Sequence, residues 1–168
     1  MTEYRRSLDL EEAIHRTIFK SEGYEVTQEV FSSAPDDAVF IRLTTTHPEG
    51  FRGGIRLSRP EDQGFPTAET LAVNDNLLQM SGMVTQRSGQ IDSQPFPILH
   101  GVKFKTLLLA QTHQGEIRAI GNQLKVEGAR EIVLKLVAAT SFYSPEYESK
   151  AEAQLDRINF KSWGEIQS

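Results

Sequence analysis

Residues 102–142 constrain the chain most, because apolar and polar residues alternate along them and glycine interrupts the alternation at short intervals. Val102, Phe104, Thr106, Leu108 and Ala110 alternate with Lys103, Lys105 and Gln111. His113-Gln114-Gly115 breaks this run, Ile117 and Ala119 flank Arg118, and Gly121-Asn122 precedes Leu124 and Val126. Gly128-Ala129 bends the chain again before the apolar run over residues 132–139. Successive side chains of a strand point to opposite faces, so the pattern predicts an antiparallel meander with one wet face. Helical periodicity fits this region poorly, and nothing inside it looks chemically loaded.

The preceding residues carry the same signal less regularly. Residues 4–10 form a short segment with Leu8 and Leu10 on one side, and residues 13–20 and 24–31 read as two strands of a hairpin around Glu22-Gly23. Pro35 and the aspartates beside it mark a turn. Residues 38–44 (AVFIRLT) are nearly continuous in apolar character, as expected of a central strand covered on both faces. A turn at His47-Pro48-Glu49-Gly50 leads to another strand over residues 51–57, where Gly53-Gly54 suggests a bulge or a close backbone approach. Residues 58–76 and 85–100 read as long irregular stretches separated by a short strand at residues 77–83. After Phe142, Ser144-Pro145-Glu146 can open a helix, and Ala151, Leu155 and Ile158 recur at helical spacing. Ser162 and Glu165 have the spacing of a capping box, although only Ile166, Gln167 and Ser168 follow; the expectation is a chain cut where a helix begins. The fold predicted is mainly β: an antiparallel β-sandwich of roughly eight to twelve short strands with a short C-terminal helical tail. Residues 1–143 are assigned to the sandwich and residues 144–168 to a helical linker.

Composition excludes several classes of function. A formal net charge of -5, with Arg5-Arg6 the one adjacent basic pair, argues against nucleic-acid binding. The chain has no apolar run long enough to span a bilayer and no signal-peptide pattern at Met1. With 0 cysteines there are no disulfides, thiolate nucleophiles or thiolate zinc sites, which leaves the compartment open.

Reactive constellations are scarce. Glycosidase chemistry needs two carboxylates across a cleft. Asp9, Glu11, Glu12, Asp36, Asp37, Glu61, Asp62 and Asp75 all stand in polar, turn-like stretches and read as solvated turn residues. His15, His47, His100 and His113 lack metal-ligand spacing, His15 reading as a hydrogen-bonded core residue, and no nucleophile elbow is present. No catalytic residue, metal site or cofactor is therefore assigned. Sugar binding needs exposed aromatic rings. Phe65, Phe96, Tyr143, Tyr147 and Trp163 lie outside the strands, and of these Phe65, Phe96 and Trp163 are the candidates retained. The readier reading of the same rings is that they fill a sandwich rim or dock against a neighbouring domain.

Residues 4–10 (YRRSLDL), Ala13 and the hairpin running to Glu29-Val30-Phe31-Ser32-Ser33-Ala34-Pro35-Asp36 together resemble the amino-terminal domain of glycoside hydrolase family 95. Gly101-Val102-Lys103-Phe104, Val126-Glu127-Gly128-Ala129, Ala138-Ala139-Thr140-Ser141-Phe142 and the tail from Phe160 to Ile166 extend the likeness. The family holds inverting α-L-fucosidases, whose amino-terminal domain is a β-sandwich and whose chemistry sits in a separate helical barrel. The resemblance implies a non-catalytic sandwich that supports a helical catalytic domain, itself inactive, with a fucosylated glycan as the parent's substrate. It also implies a secreted or periplasmic parent. The family's opening strands are missing before Tyr4, so an open sheet edge and a homo-oligomer are expected. A stand-alone carbohydrate-binding module and a protein-interaction domain are the alternatives.

Overall fold

The structure, a computed structural model, describes residues 1–85 and 101–167. These form β1 (Thr2–Asp9), β2 (Ile14–Ser21), β3 (Tyr24–Ser33), β4 (Ala38–Thr45), β5 (Phe51–Ile55), β6 (Ala68–Asn74), β7 (Leu77–Met83), β8 (Lys103–Gln111), β9 (Glu116–Ile120), β10 (Gln123–Ala129) and β11 (Glu131–Thr140). Two helices follow, α1 (Tyr147–Ile158) and α2 (Trp163–Gln167). Eight strands pair in the order β1-β2-β3-β4-β11-β8-β7-β6, and β5-β10-β9 make a second, smaller sheet. Every pairing is antiparallel. The mainly β sandwich with a helical tail expected from the sequence is the fold observed.

The large sheet is a middle layer. Pairing of Lys135 with Phe40 on one side and Leu109 on the other places Val133, Lys135, Val137 and Ala139 on one face. There Ala38, Phe40, Leu107, Leu109, Val137 and Ala139 pack against Ala151, Leu155 and Ile158 of α1 and Ile166 of α2. On the opposite face Leu78, Leu108, Ala110, Ile132 and Leu134 meet Leu124, Val126 and Ala129 of the small sheet. Burial on both sides explains why β4 and β11 read as nearly continuous apolar runs. It also corrects the expected meander. The strands β8 and β11 pair with each other at the sheet centre and have no wet face, whereas β9 and β10 leave as a hairpin for the other layer.

Three further differences have local causes. β5 pairs with β10, so the turn after β4 is a crossing between sheets. Gly50, Gly115 and Gly128 meet where the chain makes its crossings, and a Cβ on Gly115 (φ 85°) would lie 2.5 Å from the Gly128 carbonyl carbon. No side chain fits there, and the left-handed backbone is strained for any residue but glycine. At Gly53-Gly54 the ladder is regular; the register shift of this pair falls between Glu127 and Ala129, around Gly128. Finally, β6 lies inside the stretch read as irregular. It is an edge strand with Leu71 and Val73 exposed, so its alternation carries no core signal, and the polar residues before it hide it.

The edges differ in cover. Every residue of β1 is exposed, and β1 has a register irregularity between Thr2 and Arg5 where Glu3 has positive φ. His15 is half-buried on the neighbouring strand and its Nε2 accepts a bond of 3.3 Å from Arg6 Nε, so it is a strand-surface residue and not the core histidine expected.

Candidate functional site

The tail walls a concavity together with the sheets, and polar groups fix that tail. Lys135 interrupts the apolar run of β11, is fully buried on the helix face, and extends its ammonium beneath the end of α1. Its Nζ donates to the carbonyl oxygens of Ile158 (2.9 Å), Asn159 (2.8 Å) and Lys161 (2.7 Å). A helix C-terminus leaves its last carbonyls without intrahelical partners and carries partial negative charge, and a lysine satisfies both conditions from below. Burial lowers the ammonium to about 8, partly countered by the Glu165 carboxylate.

Other polar groups lock the same segment. Gln111 Nε2 donates to the Asn159 carbonyl at 3.1 Å, and Lys161 Nζ donates to Asp36 at 2.6 Å. Burial raises the Asp36 carboxyl, but bonds from Lys161 and Ser33 outweigh it and hold the group below the usual carboxylate range. Gln154 Nε2 donates to Asp37, and Lys105 Nζ meets Glu152 at 2.5 Å. Asp36 and Asp37, expected as solvated turn residues, are thus the sheet's anchors for the helices. The capping box is formed: Ser162 N–H donates to Glu165 Oε2 at 2.8 Å and Glu165 N–H to Ser162 Oγ at 3.4 Å.

Between this tail and the sandwich end lies an open cleft of about 870 Å³. The β6–β7 turn supplies Asp75 and Asn76, the β8–β9 turn His113, β11 Glu131, and the α1–α2 connection Asn159, Phe160 and Trp163. Phe160 is 92% exposed at its rim. The two carboxylates are engaged in the scaffold. Asp75 Oδ1 accepts from Ala119 N–H at 3.0 Å, and Glu131 Oε2 accepts from Arg42 Nη2 at 2.6 Å. Arg42 also meets Glu29 at 3.6 Å, which pairs with Arg16 at 2.8 Å, so charges alternate across four strands toward the cleft. Among the described residues no group of three or more His, Asp or Glu could hold a metal ion, and no helix is long and apolar enough to cross a membrane.

The aromatic candidates are dispersed. Trp163 lines the cleft but is half-buried, with its ring edge-on to Phe31 at 5.4 Å and the Arg42 guanidinium 5.6 Å from its centroid. It is a wall held by the sheet, not an open platform. Phe65 sits in a bridged turn with Asp62, 53% exposed, and does not line the cleft. Phe96 lies outside the described residues. The exposed Phe142 and Tyr143 stand edge-on to each other at 5.0 Å, away from the cleft lining. Sequence reasoning passed over Phe160, Asn159 and Lys135. Only Lys135 had a local signal, a lone cation inside an eight-residue apolar run that a sheet centre must bury (IVLKLVAA).

Fold and site together define a β-sandwich domain that carries a firmly docked helical tail. The chain belongs to the family described as glycosyl hydrolase family 65, N-terminal domain, which matches residues 1–145. The expected kinship with glycoside hydrolases holds at this level; the matching family is 65, and family 95 is not shown. Among solved structures, a putative kojibiose phosphorylase from human microbiome is similar at a TM-score of 0.61 and 8% identity, over 98% of this chain and 23% of that one. A family GH92 α-mannosidase from Bacteroides thetaiotaomicron, in complex with mannoimidazole, aligns at a TM-score of 0.38 and 7% identity, over 98% of this chain and 21% of that one. At such identity the likeness to the phosphorylase speaks for the fold alone. No curated protein matches the chain. The chain therefore spans about a quarter of the length of the structures it resembles.

Proposed function

We propose that this chain is the non-catalytic sandwich domain of an enzyme acting on glycosidic bonds, and that it supports a helical catalytic domain through its docked tail. The observation that carries the reading is the buried Lys135 cap, which fixes the end of α1 and the start of α2 to the sheet centre. A linker fixed in this way transmits a defined direction to whatever follows it. Membership of the family 65 amino-terminal domains supports glycosidic chemistry in general. An α-L-fucoside specificity rests on the resemblance to family 95 alone, and the family match lends it no support. Hydrolysis and phosphorolysis of a glycoside are both compatible with the reading.

The test has two parts. Purified chain is incubated with chromogenic α-L-fucosides and α-glucosides, and with α-linked glucose disaccharides in the presence and absence of phosphate. No turnover above buffer is expected, and clear turnover would overturn the non-catalytic reading. In the gene, an in-frame segment encoding a helical barrel joined to this domain is expected. A domain joined in frame to something unrelated to sugar chemistry would overturn the supporting role.

A further inference from the structure

We propose that the cleft at the sandwich end binds a neutral saccharide, with Phe160 as the platform on which a pyranose ring stacks. The inference rests on the reading of the chain as part of an enzyme of glycosidic bonds and adds to it a sugar-binding cleft on the sandwich domain itself. Three independent features of the cleft support it. The first is shape: a cleft of about 870 Å³ lies within the range in which proteins hold small ligands. The second is the ring. Phe160 follows the end of α1 in a segment held at Ile158, Asn159 and Lys161, so a 92% exposed phenyl group is presented by a rigid backbone. An exposed aromatic is ordinary when isolated; here it stands at the rim of a concavity, where its face can meet the C–H face of a sugar.

The third is the supply of unused polar groups. The His113 ring and the side-chain amides of Asn76 and Asn159 line the cleft without a protein partner among the described residues. Amides offer both a donor and an acceptor, which is what a hydroxyl requires. Charge then narrows the class of ligand. Lys161 is engaged by Asp36 at 2.6 Å, Lys135 by three carbonyls and Glu131 by Arg42 at 2.6 Å, so the cations that reach the cleft are already paired, and Asp75 accepts from the Ala119 N–H. Among the described residues a phosphate ester or a uronate would find no unpaired cation in the lining, whereas an uncharged sugar needs none. Trp163 closes the inner wall, its orientation fixed by Phe31 and Arg42.

The experiment is calorimetric titration of the whole chain with maltotriose and with cellotriose, α- and β-linked glucose trimers. Saturable binding of at least one is expected, weakened about tenfold or more by Phe160→Ala and weakened also by Asn159→Ala, which leaves the backbone carbonyl under Lys135 in place. Phe142→Ala, which removes a ring 73% exposed outside the cleft, is expected to bind as the parent does. Thermal unfolding of Phe160→Ala should match the parent chain, since the ring is almost wholly in solvent, so a loss of binding is not a loss of fold. Binding of neither trimer would overturn the proposal. So would undiminished affinity in Phe160→Ala, or equal loss in Phe142→Ala. None of these results touches the supporting role, which is decided by turnover and by what the gene joins to this domain.

Discussion

Replacing Lys135 by methionine removes the ammonium and keeps most of the apolar stem, so it isolates the cap beneath α1. The Ile158 carbonyl is bonded in a buried position, and leaving it unsatisfied costs about 1–3 kcal/mol. The carbonyls of Asn159 and Lys161 are only partly buried, so water recovers much of their bonding, and a further loss of about 1 kcal/mol together is reasonable. Against this, removing a desolvated charge is favourable, as the lowering of Lys135 to about 8 records. The desolvation offsets much of that loss, so we expect a net destabilisation of only about 1 kcal/mol at pH 7. For a domain of this size that lowers Tm by about 2–4 °C. The pH dependence supplies a second check. Below pH 8 the lysine is protonated in both folded and unfolded chains and contributes no slope. Between about 8 and its ordinary value of 10.5 the unfolded chain holds a proton that the folded chain has released, so wild-type stability rises with pH relative to the methionine variant. Urea unfolding of both proteins at pH 7, 8.5 and 9.5 reads the gap directly. A gap that is absent at pH 7, or that narrows as pH rises, refutes the view of Lys135 as the tail's anchor.

Gly115→Ala should destabilise by about 2 kcal/mol or more, since it combines a left-handed backbone with a Cβ that has no room against Gly128; an unchanged urea midpoint would contradict this. Asp36→Asn should loosen α2 from β3, seen as faster proteolysis after residue 158. The acid limb of wild-type stability should carry the same signature: the Asp36 contribution is present above its unfolded value and lost as pH falls through its lowered folded one, and a variant with an identical acid limb would contradict the assignment. The uncovered β1 edge should let two copies pair, so sedimentation at high concentration is expected to show dimer, reduced when proline replaces Ser7. A clean monomer would remove that expectation.

Period-two patterning and glycine spacing were enough to read β2, β3, β4, β7 and the strands after residue 102, because a strand's side-chain alternation is a local property of the backbone. Helix α1 was legible from Ala151, Leu155 and Ile158, and the Ser162–Glu165 box from its spacing, for the same reason. Partner choice was not. Whether β8 continues into β9 or pairs with β11 depends on contacts far apart in sequence, and an apolar run looks alike in a meander and in the middle of three layers. The cleft is more distant still from local signals. Asn76, His113, Asn159 and Phe160 come from three separate turns, and each is an ordinary turn residue until the packing of the tail brings them together. Sequence alone therefore determined most of the elements, β6 excepted, and the class of fold, since these follow from nearest neighbours along the chain. Only the tertiary structure decided that a lysine inside a hydrophobic strand caps a helix, because its burial becomes favourable only when three carbonyl oxygens arrive at the same point.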